Sequence, residues 1–138
     1  MKTTELYNMR LRKPSWAPPA WLFAPVWSVL YLIIGVSYGT VAYMYMQGSI
    51  PFSVALPFLL NIIANAAFNP IEFGMRNLFL ATIDIVLVLV TLVWAMFAIY
   101  PHAAWISVVN IPYLFWVSFA TILQATVLRL NWSRWWRY

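Results

Sequence analysis

Four long apolar stretches dominate the chain: Trp21–Met46, Val54–Ile71, Leu78–Tyr100 and Ala103–Arg129. Each reaches or approaches the ~20 residues that a helix needs to cross ~30 Å of hydrocarbon. Lipid offers a backbone no hydrogen-bond partners, so each stretch is predicted to be a helix that satisfies its own N–H and C=O groups. Polar residues and turn formers gather between them, at Gln47–Ser53, Glu72–Asn77 and Pro101-His102. Connections this short make sequential helices antiparallel neighbours. The pattern predicts an all-α integral membrane bundle of four transmembrane helices, forming a single domain over residues 1–138. No repeat with a period of 20–50 residues interrupts it.

Charge gives the bundle a direction. Lys2, Arg10, Arg12 and Lys13 precede the first span, Arg76 lies between the second and third, and Arg129, Arg134 and Arg137 close the chain. These three regions share one side of a four-span topology and hold all eight Lys and Arg residues, whereas the other two loops hold none. The positive-inside rule then predicts that both termini are cytoplasmic, in a multi-pass protein of the cell membrane. Trp132, Trp135 and Trp136, beside Arg134 and Arg137, are expected to anchor the last helix at the interface.

Composition agrees. Of 138 residues, 64% are hydrophobic and 8% charged, with a mean hydropathy of +0.80. A soluble domain carries about 25% charged residues. The net charge of +5 sits where a membrane protein places it, so no nucleic-acid partner is implied. The absence of cysteine excludes disulfides and thiolate metal sites. The first 20 residues hold no apolar h-region of a secretory signal.

Polar residues inside a span are costly and need a reason. Asn61, Asn65 and Asn69 recur at i, i+4 and i+8, on one face of the second helix. Two readings stand: interhelical hydrogen bonds that hold the bundle, or a face turned toward a ligand cavity. Asp84 is the one acid deep in hydrocarbon, either a structural partner of an Asn or a backbone group, with Asn65 and Gln124 as candidate polar neighbours, or part of a site. At ~1.5 Å per residue, Trp27, Asn65 and Asp84 each lie roughly 9 Å inside their span ends, with Gln124 close to the same level. A shared level on four helices is what a pocket requires. Gly35-x-x-x-Gly39 forms a close-packing face that suits a homodimer or an internal neighbour equally. Tyr113 and Trp116 follow Pro112 and read by default as ordinary core or lipid-facing aromatics. His102 lies in a turn, poorly placed to ligate haem. No carboxylate pair, metal cluster, phosphate loop or nucleophile–His motif is present, so neither an enzyme mechanism nor a required cofactor is indicated.

Ahead of the first span stands Lys13-Pro14-Ser15-Trp16-Ala17-Pro18-Pro19, running on to Phe23-Ala24-Pro25-Val26-Trp27. Three prolines within six residues cannot form helix interior, so this segment is predicted to be a rigid cap across the membrane entrance. It resembles the first-loop signature of the tryptophan-rich sensory protein/translocator protein family (TspO/MBR). Further blocks are similar to that family in unbroken order over residues 7–132. They are Ala24-Pro25-Val26-Trp27 with Leu30-Tyr31, Asn65 through Phe68 to Pro70, Asn77 through Asp84, and Pro112-Tyr113-Leu114-Phe115-Trp116 with Phe119-Ala120-Thr121 and Leu130-Asn131-Trp132. The departures are Tyr7-Asn8 in place of Trp-Tyr, Phe68 in place of Trp, and Gln124 in place of Asn. Ala125 stands where animal members carry the tyrosine of a sterol motif. Family members have five helices, so the chain resembles a member lacking its first.

The resemblance implies a cytoplasm-facing cavity under the first loop that binds porphyrin, haem or related tetrapyrroles, with sensing, sequestration or transport as its use. In animal members it implies sterols and benzodiazepine-type drugs. By position, Trp16, Trp27, Asn65, Trp116 and Ala120 match residues that line or cover that cavity, with Asp84 and Gln124 as a further polar layer. Two rivals are light- and oxygen-dependent porphyrin breakdown by cavity tryptophans, and a four-span small-molecule exporter. Such exporters resemble one another in a Glu embedded in the first span, where Trp21–Met46 has no acid. The predicted topology is tested by a cysteine placed in the first predicted turn, Gly48→Cys: it is labelled only from outside the cytoplasm, and labelling from the cytoplasmic side overturns the four-span arrangement.

Overall fold

The computed structural model of the chain describes residues 14–71, 75 and 77–132. A 3-10 turn at Ala20–Leu22 leads into α1 (Phe23–Met46), followed by α2 (Phe52–Asn69), α3 (Leu78–Ile99), the short α4 (Ala104–Val109) and α5 (Ile111–Leu130). No strand occurs among the described residues. α1, α3 and α5 are each long and apolar enough to cross a membrane, and α2 contributes a shorter apolar stretch, Phe52–Phe68. Large apolar side chains such as Leu32, Val36, Phe97 and Phe115 stand about two-thirds or more exposed around the bundle. A surface of this kind is tolerated in lipid and not in water. The chain is an integral membrane helical bundle. The basic N-terminal cluster, Tyr7-Asn8, Lys13, Arg76, and the Trp135/Trp136 anchor with Arg134 and Arg137 lie outside the described residues.

α3 is the central helix. Leu78, Ala81, Ile85, Val88, Leu92, Ala95 and Ile99 are all buried. Their alternating spacing of three and four is the seam of a helix packed between neighbours, here α2 on one side and α5 on the other. Asn77 starts the helix: its extended backbone lets Oδ1 accept from the Leu80 N–H at 3.0 Å. Elsewhere hydroxyls are absorbed by their own helix, as where Thr82 donates to the Leu78 carbonyl and Thr121 to that of Val117.

The last expected span differs from the sequence reading: it is two helices, parted at Asn110. Pro112 has no N–H to give the Val108 carbonyl, so the helix cannot run through. Asn110 manages the break. Its Nδ2 donates to the Ile106 carbonyl at 2.8 Å and to Ser37 Oγ at 3.1 Å, tying the junction to α1. The second span starts two residues earlier than read, at Phe52. At 1.5 Å per residue its 18 residues span about 27 Å, against about 36 Å for the 24 residues of α1. Gly35 and Gly39 pack against nothing: a Cβ at either would meet no atom within 4 Å. Gly48 closes the first turn at φ 75°, so Ser49, exposed beside it, is the less strained position for a cysteine label.

One amide joins four elements. The Oδ1 of Asn61 on α2 accepts from the Tyr38 hydroxyl of α1 at 2.8 Å and from the Tyr113 hydroxyl of α5 at 3.0 Å. Its Nδ2 donates to the Val88 carbonyl at 2.9 Å and to Thr91 Oγ1 at 3.1 Å, both on α3. Both lone pairs and both protons are therefore used. Asn65, one turn on, donates to the Tyr113 oxygen at 2.7 Å. Both asparagines therefore make hydrogen bonds between helices. An interhelical hydrogen bond in a membrane averages about 0.6 kcal/mol, so the four at Asn61 are worth about 2–3 kcal/mol together. Asn61→Leu is expected to lower the thermal unfolding midpoint in detergent clearly more than Asn65→Leu, which removes one bond. Equal midpoints for the two variants would count against Asn61 as the hub.

Candidate functional site

The cap is folded down onto the bundle. Ala17 N–H bonds the Pro14 carbonyl at 3.1 Å, closing a tight turn that carries Ser15 and Trp16, and Leu22 N–H bonds the Pro19 carbonyl at 3.0 Å. Trp16 is half-exposed, and its ring meets Phe119 of α5 edge-on, centroids 5.8 Å apart. Ala17 and Phe23 pack with Phe119 and Leu128 against buried Leu78, Leu123 and Val127. The prolines thus lay a tryptophan over the end of the bundle where α3 begins and α5 ends.

Beneath it α1 and α5 face each other through aromatic rings. Phe23 and Trp27 are one turn apart on α1, and Trp116 and Tyr113 are nearly one turn apart on α5. The two helices run in opposite directions, so the rungs match. Phe23 meets Trp116 with centroids 5.7 Å apart at 68°, and Trp27 meets Tyr113 at 6.4 Å and 69°. Trp116 also lies 5.7 Å from Phe119, and Trp27 lies 5.5 Å from Tyr31. The α1 and α5 backbones scarcely approach each other; large rings fill the space between them. Edge-to-face pairs are each worth about 0.5–1.5 kcal/mol beyond the area they bury.

Of the residues expected at the site, Trp16, Trp27 and Trp116 come together in this seam. Asn65 reaches it through the Tyr113 hydroxyl, whose ring is the Trp27 partner. Ala120 is partly buried against the same core. Asp84 and Gln124 are both buried, but no hydrogen bond joins either to the other or to Asn65. Asp84 Oδ2 and Gln124 Nε2 have no partner among the described residues, and neither has Trp116 Nε1. Register explains the missing pair. Tyr113 and Val88 meet at Asn61, so Asp84 lies about 6 Å and Gln124 about 16 Å along the bundle axis from that level. The difference exceeds the reach of a glutamine side chain. Buried polar atoms without partners are uncommon, and these three lie on α3 and α5. Asn69 is placed on α2 only by its backbone, and His102 stands exposed at the opposite end of the bundle. Among the described residues no cluster of three His, Cys, Asp or Glu side chains is present.

Sequence reading missed Phe23, Phe119, Tyr38 and the buried role of Tyr113. The available signal was spacing: Phe23/Trp27 at i, i+4 and Tyr113/Trp116 at i, i+3 put each pair on one helix face.

The family model described as TspO/MBR matches residues 1–130. The chain is 35% identical over 131 residues to a tryptophan-rich protein TspO of Chlorobaculum tepidum, covering 94% of this chain and 82% of that protein. It is 32% identical over 135 residues to a tryptophan-rich sensory protein of Cereibacter sphaeroides, with 97% and 82% covered. Against the human translocator protein it is 35% identical over 129 residues, with 88% and 72% covered. The family model covers nearly the whole chain, and bacterial and animal relatives alike match it at about one residue in three, so the chain belongs to the TspO/MBR family.

Proposed function

We propose that the seam between α1 and α5 binds a hydrophobic tetrapyrrole, porphyrin or haem, and that the protein uses this for sensing, sequestration or transport. The observation that carries the reading is the aromatic seam itself, roofed by Trp16. Edge-to-face rings between backbones that stay apart can part for a flat conjugated ligand and stack on its faces, with Trp27 and Trp116 as the principal contacts. Asn65, by way of Tyr113, fixes the inner end, and Ala120 leaves room for a large ring. The unpaired Trp116 Nε1 offers a donor to a polar edge of the ligand. Asp84 and Gln124 extend the polar lining toward the cap. The names of the relatives, a sensory protein and a translocator protein, agree with these uses. With the basic residues facing the cytoplasm, the cap and seam open toward the cytoplasm, in the plasma membrane, with both termini on that side.

Porphyrin titration followed by tryptophan quenching in detergent tests this. Loss of one ring contact, in Trp27→Ala or Trp116→Ala, is expected to weaken binding by up to about tenfold. Trp105→Ala, on α4 at the opposite end, is expected to leave the midpoint unchanged. Absence of saturable binding, or an equal loss in Trp105→Ala, would rule the seam out as the site.

A further inference from the structure

The end of the bundle opposite the cap holds a second concavity, independent of the seam. Its volume is about 310 Å³, and Val93, Met96, Phe97, Tyr100, Ser107 and Leu114 line it. Phe97 lies 19 residues beyond Leu78 along α3, about 28 Å from the cap. The concavity takes lining residues from both sides of the break at Asn110, Ser107 from α4 and Leu114 from α5. The Ser107 hydroxyl pins α4 to α3 by donating to the Met96 carbonyl. That bond consumes the only side-chain polar group deep in the concavity, and no polar atom is left exposed in it. Two of its lining residues, Phe97 and Tyr100, are largely exposed on the surface of the bundle.

We propose that this concavity is a lipid site that seats one acyl chain from the leaflet opposite the cap. Three features select that occupant. The volume is at the lower end of the range for small-molecule sites, too small for a tetrapyrrole. The lining is flexible thioether, aliphatic and aromatic, with nothing to satisfy a ligand's donors or acceptors, so a polar molecule would pay for burying them dry. Its exposed lining residues Phe97 and Tyr100 lie where α3 ends, so a chain reaches it from the bilayer while the headgroup stays level with Tyr100, a residue type favoured at that interface.

The test uses the full chain in nanodiscs containing phosphatidylcholine with a diazirine midway along one acyl chain. After irradiation, the labelled positions are mapped by mass spectrometry. Labelling within 93–100 and 107–114 is expected to exceed that on the exposed α1 and α2 faces around Val36 and Ile63 several-fold. Leu114→Trp fills the concavity and is expected to abolish that excess while leaving the other labelling and porphyrin binding unchanged. Val93→Phe fills it from α3 and serves the same purpose if thermal unfolding shows that Leu114→Trp does not fold. Even labelling of all lipid-facing helices in the unmodified protein means ordinary annular lipid and overturns the proposal. An excess that survives filling overturns it as well.

Discussion

The bundle depends on one fully occupied amide. In a hydrocarbon surrounding, apolar burial does little to choose one helix arrangement over another, because lipid tails are as apolar as the side chains they touch. Direction has to come from polar groups that only one arrangement satisfies. Asn61 is that group: moving α1, α3 or α5 by one turn would strip it of a partner and leave Tyr38, Tyr113 or Thr91 to find another in lipid. The edge-on contact of Tyr38 with Phe58 at 4.8 Å and the link from Asn110 to Ser37 hold the same register on α1.

Tyr113 makes this frame and the aromatic seam one system. Its hydroxyl belongs to the polar hub and its ring faces Trp27, with no part of the residue exposed. A ligand that displaced Trp27 would press on a ring whose far end is held by two asparagines. The inner wall of the seam is therefore stiff, while its roof, half-exposed Trp16 on a proline-bounded turn, is the side that can yield.

The membrane architecture was legible in the sequence because apolar length is demanded by the bilayer whatever the helices pack against. The cap was legible because prolines cannot be helix interior. Asn61 was visible only as one of three equivalent asparagines. What singles it out is that Tyr38, Thr91 and Tyr113 converge on it from three other helices, and no periodicity within α2 carries that. The break at Asn110 was hidden for a different reason. Hydropathy runs across Ala103–Arg129 without a pause, and Pro112 near the start of a new helix looks the same in a linear pattern as Pro112 inside an old one. The three tryptophans of the seam were found by resemblance, while their phenylalanine and tyrosine partners were lost in a chain with 19% aromatic residues.

The unequal lengths of α1 and α2 set a boundary condition on the surrounding bilayer. A 36 Å helix lying beside a 27 Å one cannot have both ends of each flush with the same two planes. The longer helix must tilt, or the lipid beside the shorter one must compress, at a cost of fractions of a kcal/mol per Å. A thin membrane relieves α2 and a thick one relieves α1. Phe23 and Trp27 stand on the first turns of that longer helix, so whatever tilt α1 takes up is carried into its ring contacts with Trp116 and Tyr113.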